Sequence, residues 1–416
     1  MIDLKLLRSE PEAVRNSLRR RGSNLDLDAL LEADERYRSI LGEVEALRAE
    51  QNRASKAIGS ESAPDRDAAI REAKLLSERL KAREADLGRA RAELDRAVAE
   101  VPNLVHPAAP DGLGEEENVM VREVGDKPIF DFPPKDHLDL GEALDLIDIP
   151  RAAKVSGTRF GMLKGRAALL EMSLMRFALD RVTSEGFVPV IPPVLVRRDA
   201  LFGTGFFPSE EEQAYAVPED DLYLVGTSEV PLAAMHADEI LPFESLPLRY
   251  GGFSSCFRRE AGTYGKDTRG IIRVHQFEKV EMFVYSSAET SDAEHERLLA
   301  IQESIFQAIE VPYRVVDVCA GDLGAPYARK FDLEAWLPGS DRWLEVTSTS
   351  NALDYQARRL SIRTRRDGEV DLVHTLNGTA ITNRSIVAIL ENHQQQDGSI
   401  RIPPALEGYT GFDRIP

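Results

Sequence analysis

Residues 253–283 concentrate aromatic, cationic and acidic side chains in two strand-like runs that flank a polar loop. The first run ends at Arg258 and Arg259, and Glu260 follows. After Gln276, residues alternate with a period of two, which predicts a β-strand whose two faces differ. One face carries Phe277, Lys279, Glu281 and Phe283, and the other carries Val280, Met282 and Val284. The polar face suits a planar base, a phosphate and an ammonium group, and the alternative is an ordinary hairpin with a solvated, charged face.

Three further predicted strands carry polar residues at or near their ends. Residues 222–229 predict a strand that ends in Gly226-Thr227-Ser228-Glu229 before a helix, and simple capping of that helix is the alternative role. Residues 343–348 predict a strand that carries Glu345. This glutamate is a candidate binding residue, and the alternative is an ordinary strand residue that faces solvent. Residues 370–376 predict a strand, and residues 377–380 a turn in which Gly378 lets the backbone approach a ligand closely. A helix with Arg384 follows.

Motifs of several enzyme classes are absent from the sequence. Residues 262–267 have the wrong spacing for a phosphate-binding P-loop, and no Ser or Thr follows Lys266. Neither His-Glu-x-x-His nor Gly-x-Ser-x-Gly occurs, which argues against a zinc protease and an α/β-hydrolase. The chain also lacks the His-Ile-Gly-His and Lys-Met-Ser-Lys-Ser motifs of class I aminoacyl-tRNA synthetases.

Composition narrows the class of protein. The chain has 416 residues, of which 30% are charged and 43% hydrophobic, which allows two domains and a large core. Its net charge of −19 requires any nucleic acid to meet a local basic patch. Two distant cysteines, Cys256 and Cys319, argue against a structural zinc site and a disulfide framework and indicate a reducing cytoplasm. No apolar run approaches the roughly 18 residues of a membrane span.

The N-terminal quarter predicts a helical hairpin. Apolar or small residues recur three and four apart in two seams, before and after the helix-breaking residues 59–65. Two such helices, each about 45 Å long, form an antiparallel coiled coil over about 28–100. That segment has 14 Lys and Arg against 17 Asp and Glu, a net charge of −3, so it is closer to neutral than the rest. A solvated coiled coil without a partner is the alternative.

The remaining segments set the domain boundaries. Residues 102–125 are rich in proline and glycine and predict a linker between a domain at 1–101 and a domain at 126–416. In the second domain, 169–184 has helical spacing, and 186–196 predicts a strand interrupted by prolines. Because proline is confined to sheet edges and bulges, that strand should lie at an edge or an interface.

These segments together resemble the class II aminoacyl-tRNA synthetases. Phe257-Arg258-Arg259-Glu260 matches the Phe-Arg-x-Glu of their motif 2, at about 253–285. Residues 265–270 and 273–277 are similar to the seryl-tRNA synthetases in particular, as is Thr227-Ser228-Glu229. Residues 169–196 resemble motif 1, with Pro193 at the place of the interface proline, and 370–392 resemble motif 3. The segment Ser209-Glu210-Glu211-Glu212 departs from the family's commoner neutral or basic sequence.

The resemblance implies an α+β (mixed α/β) fold: an antiparallel sheet flanked by helices, with an N-terminal antiparallel coiled-coil hairpin. It implies activation of L-serine by ATP and transfer to tRNA(Ser), with tRNA(Sec) as a further candidate. The hairpin would grip the tRNA, chiefly by its shape. The resemblance also implies a cytoplasmic homodimer that uses Mg²⁺ and no zinc. No membrane association is expected. Two alternatives stay open: another class II ligase, and a non-catalytic paralogue that acts as a scaffold.

The resemblance assigns roles residue by residue. The implied catalytic residues are Arg258, Glu281 and Arg384. The implied serine-binding residues are Thr227, Ser228, Glu229, Glu281 and Thr379, with the substrate hydroxyl assigned to Glu281. The implied ATP-binding residues are Arg258, Arg259, Glu260, Val274, Phe277, Glu345, Val346, Thr347, Ser348 and Arg384. Phe277 and Arg384 would sandwich the adenine, and Mg²⁺ would be held by Glu345 and Ser348.

Overall fold

A computed structural model describes residues 1–58, 66–262 and 269–416. These residues form two compact units. The larger consists of Met1, Arg20–Gly22 and Asn103–Pro416, and the smaller of Ile2–Arg19 and Ser23–Pro102. The predicted turn at 59–65 and residues 263–268 of the motif 2 loop lie outside the described part of the chain.

The smaller unit is helical, as its heptad seams predict. Its helices are α1 (Leu4–Ser9), α2 (Pro11–Arg20), α3 (Leu27–Ile58) and α4 (Arg66–Ala99). Helices α3 and α4 pack along the two seams and bury Ile40, Val44, Leu80 and Ala90 between them. Ion pairs fix their antiparallel register, including Arg48 with Glu84 at 2.8 Å and Arg83 with Glu43 at 2.7 Å.

The larger unit mixes strands and helices. Its helices are α5 (His137–Ala143), α6 (Ile149–Ser156), α7 (Gly165–Ser184), α8 (Arg198–Thr204), α9 (Glu229–Ala234), α10 (Ser291–Ala308), α11 (Tyr355–Leu360), α12 (Arg384–Asn392) and α13 (Pro404–Thr410). Its strands are β1 (Val119–Val124), β2 (Val188–Val190), β3 (Leu195–Arg197), β4 (Tyr215–Val217), β5 (Leu222–Leu224), β6 (Ile240–Pro242), β7 (Leu248–Phe257), β8 (Gln276–Ser286), β9 (Tyr313–Asp317), β10 (Arg329–Leu337), β11 (Arg342–Leu353), β12 (Arg363–Arg366), β13 (Glu369–Leu372), β14 (His374–Thr382), β15 (Ile400–Arg401) and β16 (Arg414–Ile415).

An eight-stranded sheet is the frame of the larger unit, with the strand order β1-β9-β10-β11-β14-β8-β7-β2. All neighbouring strands in it are antiparallel except β2, which pairs parallel with β7 at one edge. The predicted alternation of β8 is confirmed, because Val280, Met282 and Val284 enter the main hydrophobic core. Helices α7, α10 and α12 pack against the sheet. The opposite face of β8 presents Lys279 and Glu281.

The prediction that 102–125 is a linker without regular structure is wrong. From Asn103 the chain belongs to the larger unit, and β1 pairs with β9 as an edge of the sheet. The buried Asn103 side chain donates hydrogen bonds to the carbonyl groups of Pro326 and Ala352, at 2.9 and 2.7 Å. The prolines and glycines that suggested a linker are confined to 102–114, and the β-branched run after them is too short to stand out.

Two local predictions in motifs 1 and 3 are also revised. Residues 377–380 are not a turn but part of β14, because their hydrogen bonds to β8 and β11 continue the strand. A Cβ atom on Gly378 would meet Thr349 Oγ1 at 3.1 Å, so this glycine permits close strand packing rather than ligand approach. The proline-containing strand is split into β2 and β3, and β2 lies at a sheet edge, as its prolines predict.

Candidate active site

A cavity of about 470 Å³ lies on the open face of the sheet in the larger unit. This volume is in the range of small-molecule sites. Strands β8, β10, β11 and β14 supply half of its polar lining, and the loop before α9 contributes Thr227. The polar residues that line it are Glu210, Gln213, Thr227, Glu229, Arg258, Glu260, Arg273, Lys279, Glu281, Tyr327, Lys330, Glu345, Ser348, Ser350, Asn377 and Thr379.

A β-bulge in β11 brings Glu345 and Ser348 to this cavity together. In a regular strand, residues three apart point to opposite faces. In β11, Ser348 pairs with Asp332 and Glu345 pairs with Glu334, so Val346 is an extra residue without a partner. The bulge therefore restores Glu345 to the face of Ser348. Its carboxylate is 45% exposed and faces the cavity.

The floor of the cavity is a compact polar network on β8, β14 and the loop before α9. The Lys279 ammonium forms a buried ion pair with Glu281 and donates to Thr227 Oγ1 at 2.7 Å. The hydroxyls of Thr227 and Thr379 lie 3.5 and 3.3 Å from Glu281 Oε2. This cluster offers a carboxylate, two hydroxyls and an ammonium to a small polar ligand.

Glu229 lies deeper at the same end, and its side chain is held by neutral donors. The Tyr327 hydroxyl donates to Oε2 at 2.9 Å, and Gln356 Nε2 donates to Oε1 at 2.7 Å. Burial, and then the negative charge of Glu281, raise the pKa of Glu229 to about 7. Glu229 is therefore partly protonated near neutral pH, in contrast to an exposed glutamate.

The Glu229→Gln variant should lose a pH dependence of stability. Because the folded protein binds the Glu229 proton more tightly than the unfolded chain, the free energy of unfolding falls as pH rises between about 4.5 and 7. The full shift corresponds to about 3 kcal/mol. Denaturant titrations should show that the free energy of unfolding falls less between pH 4.5 and pH 7.5 in the variant than in the wild-type protein. The exposed-site variant Glu219→Gln is the control, and an unchanged slope in Glu229→Gln would refute the assignment.

Arg258, directly after β7, and Phe277, near the start of β8, lie side by side at the cavity. Arg258 Nε donates to the Gly226 carbonyl at 3.2 Å, and its guanidinium carbon lies 5.3 Å from the centre of the Phe277 ring. Among the residues that the structure describes, Arg258 forms no ion pair. Glu260 pairs with Arg273 Nη1 at 2.6 Å and has a φ of 52°, an unusual backbone conformation for glutamate.

A smaller side cavity of about 80 Å³ adjoins the main one. Arg384 lies there, with Nε donating to the Ile272 carbonyl at 3.1 Å and Nη1 to the Glu345 carbonyl at 2.8 Å. Burial alone would raise the pKa of the Glu345 carboxyl, but the charges of Lys330 and Arg384 outweigh it and hold that pKa below its ordinary value. Glu345 is therefore an anion available to a ligand.

The structure gathers most of the predicted site residues. Those that line one or both cavities are Thr227, Glu229, Arg258, Glu260, Val274, Phe277, Glu281, Glu345, Val346, Thr347, Ser348, Thr379 and Arg384. Ser228 and Arg259 are outside both linings. Ser228 is buried and shares a 2.7 Å hydrogen bond with Ser254, which favours a structural role, and Arg259 is exposed.

Sequence reasoning missed several lining residues. Alternation had placed Lys279 on the polar face of β8 but without a role, and Ser350 and Asn377 follow from the same rule once β11 and β14 are known to extend through them. Lys330 and Tyr327 had none, because they come from β10 and the loop before it, which no motif marks. Within the described residues, no group of three or more His, Cys, Asp or Glu side chains could hold a metal ion.

Comparisons with known proteins give the family of this chain. A family model described as "Seryl-tRNA synthetase N-terminal domain" matches residues 1–105, and one described as "tRNA synthetase class II core domain (G, H, P, S and T)" matches residues 214–393. The chain is 54% identical to the serine–tRNA ligase of Nocardia farcinica over 415 residues, which cover 99% of each chain. The chain belongs to the seryl-tRNA synthetases.

Solved structures agree with this membership. The crystal structure of a seryl-tRNA synthetase from Pyrococcus horikoshii complexed with ATP superposes with a TM-score of 0.94 at 44% identity, covering 100% of this chain and 99% of that one. The cytoplasmic serine–tRNA ligase of Naegleria fowleri in complex with AMP has a TM-score of 0.87 at 31% identity, with 99% and 96% covered.

The family membership settles the activity and the fold class. The chain is a class II aminoacyl-tRNA synthetase that joins serine to tRNA, and the predicted mixed fold with its antiparallel sheet is confirmed. Neither a ligase for another substrate nor a non-catalytic scaffold is favoured by these relatives. No helix in the described residues has the length and apolarity that crossing a membrane requires.

Proposed function

We propose that the cavity on the sheet activates L-serine with ATP before serine is transferred to the 3′ end of tRNA. One observation carries this assignment: a single sheet face brings Arg258, Glu281 and Glu345 around one cavity, with Arg384 beside it. The cavity thus joins an anion-binding end to a small polar end. A substrate carboxylate and a triphosphate could be brought together there despite their like charges.

The first step is a displacement at phosphorus. An oxygen of the serine carboxylate attacks the α-phosphorus of ATP, a new P–O bond forms, and the bond to the β-phosphate oxygen breaks to release pyrophosphate. The protein contributes positioning and charge stabilisation rather than a nucleophile. In the second step, a terminal ribose hydroxyl of the tRNA attacks the serine carbonyl, and AMP leaves.

Arg258 is assigned to the reacting centre. Its planar guanidinium can bind a carboxylate and a phosphate oxygen at once. The contacts with Gly226 and Phe277 hold it at the junction of the two cavities. Arg384 and Phe277 are assigned to the adenine, with Glu260 reading its amino group and Val274, Val346 and Thr347 lining the same side cavity.

Glu281 is assigned to the serine hydroxyl and Glu229 to the ammonium group. Glu281 lies among the hydroxyls of Thr227 and Thr379, so a bound hydroxyl would join an existing polar network. A site of this kind rejects alanine, because its buried polar groups would lose their partner. An arriving ammonium group would favour the charged form of Glu229.

Mg²⁺ fits the donor set at the phosphate end. The anionic carboxylate of Glu345 and the hydroxyl of Ser348 share one face of β11 and are oxygen ligands of the kind that Mg²⁺ prefers. Two protein ligands are too few alone, so phosphate oxygens and water would complete the shell. The bound ion would neutralise phosphate charge, while Lys330 and Arg384 keep Glu345 ionised. Chelation should abolish exchange, and added Mg²⁺ should restore it.

A pyrophosphate-exchange assay tests the assignment directly. With each standard amino acid supplied alone, only serine should drive exchange of labelled pyrophosphate into ATP. Exchange with a different amino acid would discard the assigned pocket but keep the fold. Absence of exchange with every amino acid would reject the proposed first step on the free enzyme.

The α3–α4 hairpin is proposed to bind tRNA(Ser), and tRNA(Sec) as a second substrate because recognition rests on shape. Four cations of α4, namely Arg71, Lys74, Arg79 and Lys81, form no ion pair with any described residue and remain available to phosphates. Charging assays with both transcripts test the choice, and failure with tRNA(Sec) would restrict the enzyme to tRNA(Ser).

Deletion of residues 28–100 should separate the two steps. With a short Gly-Ser connection in their place, serine-dependent pyrophosphate exchange should stay within about threefold of the full chain, because the cavity lies in the larger unit. Charging of tRNA(Ser) should fall by about a hundredfold or more as phosphate contacts are lost. Retained charging would exclude the hairpin from tRNA binding.

We propose a homodimer through the motif 1 face and a cytoplasmic location. Strand β2 leaves a sheet edge open, and apolar side chains beside it are exposed, including Met172, Val188 and Ile191. Sedimentation equilibrium should give twice the chain mass, and a monomer would refute the dimer. The thiols of Cys256 and Cys319 form no disulfide, which suits a reducing compartment, and cell fractionation tests this location.

A further inference from the structure

A buried pair of side chains, His137 and Glu391, lies outside both cavity linings. His137 begins α5, and Glu391 lies near the end of α12. The carboxylate of Glu391 is fully buried and accepts hydrogen bonds from the backbone N–H groups of His137 and Gly339, both at 3.0 Å. His137 Nδ1 lies 3.1 Å from Glu391 Oε1.

The second ring nitrogen fixes the protonation state of His137. The backbone N–H of Ile271 can only donate, and it lies 3.3 Å from Nε2. Nε2 must therefore present a lone pair, the proton is on Nδ1, and the ring is neutral. Gly270 allows this approach, since it has a φ of +73° and a Cβ atom there would lie 2.0 Å from Nε2.

The backbone that His137 holds also holds Arg384. The Ile271 carbonyl accepts from Asn383 Nδ2 at 3.3 Å, and the Ile272 carbonyl accepts from Arg384 Nε at 3.1 Å. Both Asn383 and Arg384 are at the start of α12, whereas Glu391 is near its end. Both ends of α12 thus hold residues 271–272, one end directly and the other through His137.

We propose that His137 is a positioning residue for ATP, an inference that rests on the proposed nucleotide site. Its neutral ring ties Ile271 to Glu391, which fixes the Ile272 carbonyl and so the direction of the Arg384 guanidinium. His137 itself touches no ligand. A purely structural pair would stabilise α5 without any preference for one substrate, and this difference can be measured.

Two substitutions separate the ring nitrogens. In His137→Asn, the amide can replace the Nδ1 donor to Glu391 but is too short to accept from Ile271. In His137→Gln, the amide oxygen can reach the position of Nε2 and accept from Ile271. The KM for ATP in serine-dependent pyrophosphate exchange should rise about five- to tenfold in His137→Asn, as expected for one buried hydrogen bond. The KM for serine should stay within about twofold, and His137→Gln should recover most of the loss.

The comparison is made against the wild-type enzyme, whose exchange with serine establishes the proposed function independently. Equal increases in both KM values, or an altered thermal midpoint with unchanged KM values, would overturn the positioning role. Should His137→Asn not fold, Glu391→Gln replaces it. That variant keeps the side-chain volume but replaces one of the two oxygens that accept from Nδ1 and from the backbone N–H groups of His137 and Gly339. A KM increase confined to ATP supports the role, and equal increases in both KM values or unchanged KM values refute it.

Discussion

Replacing Arg258 by alanine should lower serine-dependent pyrophosphate exchange by about a thousandfold while the protein stays folded. Arg258 is the cation at the junction of the two cavities, where the substrate carboxylate must approach the α-phosphate. Loss of a preorganised charge at a reacting centre costs about this much. The side chain is exposed and forms no ion pair with a described residue, so the thermal midpoint should change little.

The neighbouring arginine provides a matched control. Arg259 is exposed and outside both cavity linings, so Arg259→Ala should leave exchange within about threefold of the wild-type rate. Arg258→Lys keeps the charge but loses the planar fork, and we expect an intermediate loss of about ten- to a hundredfold. Equal losses in Arg258→Ala and Arg259→Ala would show that charge alone matters and would remove Arg258 from the reacting centre.

The second large effect is expected for Glu281→Gln. The value of kcat/KM for serine should fall by about a hundred- to a thousandfold, because the amide cannot accept from the substrate hydroxyl and Lys279 in the same way. The KM for ATP should change little, since Glu281 is absent from the smaller cavity. The variant should also lose about 3 kcal/mol of stability, because the buried Lys279 ammonium loses its carboxylate partner.

Two further variants separate binding from stability. Glu278→Gln is the control on the same strand, because Glu278 bonds Ser255 at 2.7 Å and lines neither cavity. Lys279→Met combined with Glu281→Gln should recover stability, since no buried charge is left unpaired, yet serine-dependent exchange should remain low. Near-wild-type exchange in Glu281→Gln would remove Glu281 from the serine site.

The sequence predicts the parts of the site that follow regular rules. Period-two alternation places Lys279 and Glu281 on the open face of β8 and Met282 in the core, as the structure confirms. The same rule separates Glu345 from Ser348, and only the resemblance to a known family put them in one site. Alternation fails there because a bulge depends on how β11 pairs with β10, and pairing is a tertiary property.

The missed residues have similar physical causes. Lys330 enters the cavity because β10 lies next to β11, a neighbour relation that no local pattern encodes. Strand β1 escaped notice because its apolar run, Val119–Val121, is only three residues long and follows a segment rich in proline and glycine. Ser228 seemed equivalent to Thr227 in the sequence, but the turn before α9 directs its hydroxyl to Ser254 instead of the cavity.

Val346, the extra residue of the bulge, has no partner on β10. Deleting this one residue would make the strand more regular, and its remaining hydrogen bonds to β10 could all form. Glu345 would still pair with Glu334 and Ser348 with Asp332, so both side chains would stay on the cavity face of β11 and Leu344 would stay on the opposite face. The strand therefore has room to lose one residue at the bulge without losing the site, whereas one residue added elsewhere in β11, without a second bulge, would turn every side chain beyond it to the opposite face.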